Sequence, residues 1–381
     1  MTQETHHVFL VPGFLGIENL GEFEYFQHVR DLLAQQLRGL GLRVEIHGVR
    51  SYATSSVRKR TLRLLETIVE HAGGDDTPLH LVGHSTGGLD ARLLCTPDAR
   101  LGGTADTTAI AARVRSIVTI ACPHRGTPLA SFFTTRLGAQ LLSALSLGTV
   151  YLLRFGRLPI SAVVRMTALL LRLHSRLGRL EQSIAHQLFD QLLGDLSVER
   201  RNELSRLLQD MAQDQALMPQ LMPESMDMFD AAVGERAGIA CASVISGAQA
   251  GSLRTVLKLG FDPYAQATHA LFEALHRLTS EMDAAYLPPL TAAQKALLER
   301  GLGHLPTPRD NDAIVPVLSQ VWGEVIHATR ADHFDVIGHF SDATRSPVHY
   351  DWLASGCGFD RQSFEALWGD VARFIADSAK R

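Results

Sequence analysis

The chain has 381 residues, 46% hydrophobic and 20% charged, which suits a globular protein large enough for one big domain or two smaller ones. A formal net charge of −4 gives no general pull toward nucleic acid. The four cysteines (Cys95, Cys122, Cys241, Cys357) lie far apart and form no CxxC pair, which speaks against a zinc ribbon or a disulfide framework and fits reduced thiols.

In chain order, "HVFLV" (7–11) reads as a strand ended by Pro12-Gly13, leaving no room before it for a secretory leader. The expectation is a cytoplasmic protein, with secretion open only if a leader was removed. A helical pattern covers Phe26 to Leu37, and "LRVEIHGV" (42–49) is a second strand. Residues 57 to 72 place Leu62, Leu65, Ile68, Val69 and Ala72 on one helical face, stopped by Gly73-Gly74. A strand at Leu79 to Val82 runs into Gly-His-Ser-Thr-Gly-Gly and a helix from about Ser85, and "SIVTIA" (116–121) is a short buried strand. Strands alternating with helices predict a mostly parallel sheet covered on both faces.

The pattern then breaks. From Thr127 to Arg236 only leucine-rich helical periodicity is visible, before "GIACASVISG" (238–247) resumes the sheet. Another helical stretch spans about 265 to 300, "GEVIHAT" (323–329) is the last strand, and "SFEALWGDVARFIADSA" closes the chain with an apolar stripe. The longest uncharged run, Leu137 to Leu153, is slightly short for a comfortable membrane span and reads as a buried or interfacial helix. The domains predicted are a core of 1–126 and 239–381 and a helical lid or cap of 127–238.

A serine between two glycines at a strand end has a chemical use. A tight strand-to-helix turn projects the hydroxyl above the sheet edge and aims the first helical amides at the same point. The positions two before and two after must be small, as Gly83 and Gly87 are. By chance GxSxG arises roughly once in six or seven shuffled chains of this composition, so the flanking strand and helix carry the weight. Ser85 is the candidate nucleophile, with the amides of Thr86 and of Phe14, in the loop after the first strand, as the oxyanion hole. A base and its orienting acid are sought downstream: His333 lies just past the last strand, and Asp312 sits in "RDNDAIVPV" (309–317). Asp310 is the rival acid and His339 the rival base; His84 and His124 read as pocket residues.

Together GHSTGG followed by LDAR, "ACPHRGTPLA" (121–130), "NDAIVPV" and "DHFD" resemble the bacterial true lipases and their esterase relatives in the α/β-hydrolase superfamily. The resemblance covers about 1–130 and 238–375. It implies the α/β-hydrolase fold, the triad Ser85, Asp312 and His333, and oxyanion positions at Phe14 and Thr86. Pro12-Gly13 departs from the family's His-Gly, and Ala313 stands where glycine is common. The family also implies a calcium ligand at Asp335, yet His339 stands where an oxygen donor is expected, so no cofactor is expected to be required.

Ser131 to Leu180 holds seven arginines (136, 154, 157, 165, 172, 176, 179) and no Asp or Glu. Such a cationic, apolar segment reads either as a lid meeting a lipid surface or as a cap with solvated or paired arginines. Methionines 211, 218, 222, 226 and 228 read as core or as an acyl-binding wall. The expectation is a serine carboxylic-ester hydrolase acting on acyl esters or lipids, with no nucleic-acid partner. The alternatives are a polyester depolymerase, thioesterase or acyltransferase with the same triad, or a catalytically silent, membrane-associated protein of this fold.

Overall fold

The structure, a computed structural model, describes residues 4–14, 25–74, 76–97, 99, 101–102, 105–171, 187–251, 260–345 and 348–380. Six strands form one sheet: β1 (Thr5–Val11), β2 (Arg43–Gly48), β3 (Leu79–His84), β4 (Val114–Ile120), β5 (Ala240–Gly247) and β6 (Glu324–Arg330), in the order β2-β1-β3-β4-β5-β6. Every neighbouring pair is parallel. Parallel strands require crossovers, and the helices that supply them bury both faces. In β1, Val8 and Leu10 enter one apolar cluster while Phe9 and Val11 enter another, as alternating side chains must.

Helix α1 spans Arg30–Gly39 and begins later than the sequence pattern suggests, because Phe26 to Val29 form turns. Helix α2 (Val57–Ala72) starts at Ser56, whose side chain accepts the Lys59 amide. Of the face predicted, Leu65, Ile68 and Ala72 are buried, Leu62 is half-buried and Val69 is exposed, while Arg60 and Leu64 are buried as well. Arg60 is buried because it has a buried partner, Asp90, which apolar periodicity cannot reveal. Helix α3 (Gly87–Cys95) follows the Ser85 turn. A seven-residue helix, α4 (Thr107–Arg113), is too short to show a period and went unread; Asp106 caps it through the amides of Thr108 and Ala109. The 265–300 stretch divides into helices Pro263–Thr279 and Ala292–Leu302, and Arg361–Ser378 closes the chain.

Between β4 and β5 the chain makes only helices among the described residues: α5 (Pro128–Phe133), α6 (Arg136–Phe155), α7 (Ile160–Leu171), then Val198–Gln213, Leu217–Gln220 and Pro223–Ala232, with 187–194 also helical. Gly126 and Gly238, both in the left-handed region (φ 78 and 91), stand at its two ends. Leu141, Leu145 and Leu152 of α6 share one apolar cluster with Val82, Val118 and Val244 of the sheet, so the insertion packs against the core. No described helix is long and apolar enough to cross a membrane.

Candidate active site

Ser85 leaves β3 with φ 53, a left-handed conformation that L-residues adopt only when their surroundings enforce it. Here the enforcement is steric and hydrogen-bonded. A Cβ on Gly83 would lie 2.4 Å from the Gly88 nitrogen, and one on Gly87 only 2.2 Å from the Val11 carbonyl oxygen. The Ser85 amide donates to the Ile120 carbonyl at 2.8 Å. The turn is possible only because both flanking residues lack side chains.

The loop after β1 passes over this serine. A Cβ at Gly13 would fall 2.7 Å from Ser85 Cβ and 3.2 Å from its Oγ, so only glycine lets the backbone approach so closely. Phe14 follows, its ring 6.3 Å from that of Phe133 in α5. Thr86 directly precedes α3, where its amide is among those that no intrahelical carbonyl accepts.

Across the site, His333 follows β6 and its Nδ1 lies 2.9 Å from Asp312 Oδ2. Asp312 is fully buried and held from every side. Its Oδ1 accepts the amides of Ile314 (3.0 Å) and Val315 (2.7 Å), and its Oδ2 accepts Ser246 Oγ (2.8 Å) and Gln320 Nε2 (3.2 Å). Asn311 locks the same turn, with Nδ2 donating to the carbonyls of His276 and Arg309 and Oδ1 accepting the Ala313 amide. Ala313 itself has φ 80, which explains physically why glycine suits that position. With His333 Nδ1 committed to Asp312, His333 Nε2 is left bare, as are Ser85 Oγ and Thr86 Oγ1, all buried without a partner.

The rival residues lie elsewhere. Asp310 pairs with His304 (3.1 Å) and Thr307, not with His333. His339 packs against His28 and His349. His124, fully buried, meets Arg92 and Thr119. His84 does touch the site. Its Nε2 lies 2.9 Å from the His333 carbonyl, which can only accept, so that nitrogen carries the proton; Nδ1 is then bare and accepts the Tyr25 hydroxyl at 2.6 Å. Burial, then the nearby His333, holds His84 well below the ordinary histidine range, keeping it neutral. Tyr25, Ser246 and Gln320 escaped the sequence reading because none lies in a recognisable motif.

Two buried charged groups flank the site. Arg60 Nε donates to both oxygens of Asp90 (3.3 and 3.0 Å), while its other nitrogens reach the Pro12 and Tyr52 carbonyls at 2.7 Å. It therefore ties α3 to the loop over Ser85. Burial raises Asp90 to about 6 despite its partner. On the other side, the carboxylates of Asp332, Asp335 and Asp351 lie within 4.8 Å of one another, and Asp332 Oδ2 and Asp335 Oδ1 are buried without a partner. Burial pushes Asp332 and Asp335 well up and Asp351 to about 7. The third acidic group beside Asp335 is thus Asp351, and His339 is not part of the cluster.

No family model matches the sequence, and no curated protein matches it. Solved structures do share its fold. Staphylococcus hyicus lipase is 15% identical with a TM-score of 0.54, over 100% of this chain and 97% of its own. Lipase 1 from Pelosinus fermentans (15% identical, TM-score 0.51) matches over 97% of this chain and 99% of its own. EstA from Clostridium botulinum (16% identical, TM-score 0.51) matches over 99% and 88%. The chain resembles bacterial lipases and esterases along its whole length, in a parallel sheet flanked by helices.

Proposed function

We propose that this protein is a serine carboxylic-ester hydrolase of the lipase or esterase type. The observation that carries the reading is the pairing of His333 Nδ1 with the buried Asp312, while His333 Nε2 and Ser85 Oγ of the strained turn are buried and uncommitted. Ser85 Oγ attacks an ester carbonyl while His333 takes its proton; the carbonyl π pair moves onto oxygen, where the Phe14 and Thr86 amides receive the charge. On collapse the ester C–O bond breaks, and the leaving alcohol takes the proton from His333. Water, deprotonated by the same imidazole, then releases the acid and restores Ser85. Asp312 holds the ring and stabilises its charged form.

Ser85 is 1% exposed, so a substrate must displace part of what covers it. The insertion 127–238 is the proposed cap. The Asp332, Asp335 and Asp351 cluster fits a hard divalent cation such as calcium, because two buried bare oxygens and three crowded carboxylates need neutralising. Asp332, Asp335 and Asp351 would hold such a cation, which would supply charge compensation. It would steady the Asp332–Asp335 turn beside His333, in which Asp332 Oδ1 accepts the amides of Phe334 and Asp335.

The test is a fluorophosphonate probe with a panel of p-nitrophenyl esters from acetate to palmitate. Stoichiometric labelling that disappears in Ser85→Ala, together with ester turnover, is expected. A folded wild type that neither labels nor turns over any ester rejects the reading and leaves a catalytically silent protein.

A further inference from the structure

Outside the candidate active site, the edge of the sheet carries a second group of ligand-type side chains. His7 of β1 faces Glu45 of the edge strand β2 across the parallel ladder, and His47 lies two residues further on, on the same face. The relevant atoms of His7, Glu45 and His47 all fall within 4.8 Å of one another. His7 Nδ1 is 2.9 Å from His47 Nε2 and 3.9 Å from Glu45 Oε2. Zinc bonds of roughly 2.0–2.1 Å in tetrahedral geometry separate neighbouring ligands by about 3.3–3.4 Å, a value these two distances bracket. We propose that His7, Glu45 and His47 bind a divalent transition metal ion, zinc above all, that staples the edge strand β2 to β1.

The donor chemistry selects the ion. Two imidazoles and one carboxylate suit zinc, whereas calcium and magnesium want oxygen alone. Imidazole must be unprotonated to ligate, and burial followed by the nearby His71 and His7 holds His47 down to about 4. The 2.9 Å contact has one proton between two nitrogens, and a cation takes that place while the proton moves to the other nitrogen of its own ring. The position is also braced and reachable. Phe9 and His71 stack on His47, with centroids 4.9 and 4.6 Å away, while the Glu45 side chain is 59% exposed and gives a path from solvent. The second histidine of the His6-His7 pair matters because successive residues face opposite ways. His6 turns to the other face and meets His80 at 3.1 Å, so it serves as an internal control.

The test uses full-length protein stripped with chelator, titrated with Zn²⁺ against a chromophoric competitor in excess calcium. One zinc per chain with micromolar or tighter affinity is expected, together with a rise in Tm. His47→Ala should lose that site, and Glu45→Gln, an exposed change that leaves the core intact, should weaken it at least tenfold. His6→Ala and Asp335→Asn should keep it. Zinc bound equally by wild type and Glu45→Gln, or bound by wild type only at millimolar concentrations, overturns the proposal. So does loss of the zinc in Asp335→Asn, which would place the ion in the acidic cluster.

Discussion

The two sides of Ser85 are made of different material. Toward the sheet, Asp312, Asn311, Ser246 and Gln320 form a network in which nearly every polar atom has a directional partner. Within the insertion, Leu141, Leu145, Leu152, Met166, Met218 and Met226 are buried in an almost wholly apolar cluster that it shares with the sheet. Hydrogen bonds fix atoms within narrow limits of distance and angle, whereas packed leucines and methionines can rearrange at modest cost. A site that must hold an imidazole still and yet admit an acyl chain needs both kinds of wall. The same contrast says where substitutions act on chemistry and where they act on substrate range.

The largest effects belong to the polar side. Ser85→Ala should remove essentially all ester turnover without changing the fold, and Asp312→Asn should lower kcat by roughly 10⁴-fold, the scale for a lost triad carboxylate. Asp310→Asn, whose partners are His304 and Thr307, should stay within a few-fold of wild type. Side-by-side kinetics on p-nitrophenyl butyrate decide this, and the reverse ranking of the two aspartates breaks the assignment. Next in size is the Arg60–Asp90 pair, fully buried and linking α3 to Pro12. Arg60→Met leaves an uncompensated buried carboxylate and should cost about 3–5 kcal/mol in urea unfolding. Much of that loss should return in Arg60→Met/Asp90→Leu; equal stability of both variants contradicts a charge-driven effect.

This contrast also governs how much was legible beforehand. The alternation of strands, the GHSTGG turn and the order Ser85, Asp312, His333 are local or ordered along the chain; the structure pairs His333 with Asp312 and puts Ser85 on the strained turn after β3. What stayed hidden depends on distance in sequence. Asp351 joins Asp332 and Asp335 only through the fold, and Tyr25 reaches His84 across 59 residues. Arg60 joins the buried face of α2 because its partner Asp90 lies 30 residues away; a helical stripe counted on apolar residues alone cannot show that. Of the seven arginines between Ser131 and Leu180, those at 172, 176 and 179 lie outside the described residues.

A smaller, pH-dependent effect sharpens the comparison from the acidic cluster. In the unfolded chain Asp351 ionises at about 3.9, but burial raises it to about 7 in the fold, and Asp332 and Asp335 shift the same way. A raised carboxyl contributes stability at pH 4 that is lost as pH climbs toward 7. In EDTA the Tm should therefore fall across that window through these groups, and calcium should raise it by several degrees at pH 7.5 and little at pH 5. Calorimetry on wild type and Asp335→Asn measures this. An equal calcium shift at both pH values, or in both proteins, rules out the cluster as the site.

The smallest expected effect, and the most selective, lies on the apolar side. Arg154 and Arg157 are exposed near Phe155, and α7 carries Val164 and Leu171, 52% and 68% exposed and seven residues apart on one outer face. The arginines here have partners of their own: Arg157 lies over the rings of Tyr264 and Tyr350 (5.0 and 5.6 Å), and Arg165 donates to Gln191. Arg154 and Val164, both exposed, are the pair to exchange. If the insertion meets an anionic lipid surface, cationic and apolar contacts both contribute, the first screened by salt and the second not. Arg154→Glu with Val164→Ser should lower turnover of an emulsified triglyceride carrying anionic phospholipid a few-fold, and the difference should shrink in high salt. Turnover of soluble p-nitrophenyl butyrate should not change, because neither residue belongs to the polar network around Asp312. Equal losses on both substrates would mean that the variant disturbs the site itself, and no loss on either would make this face ordinary scaffold.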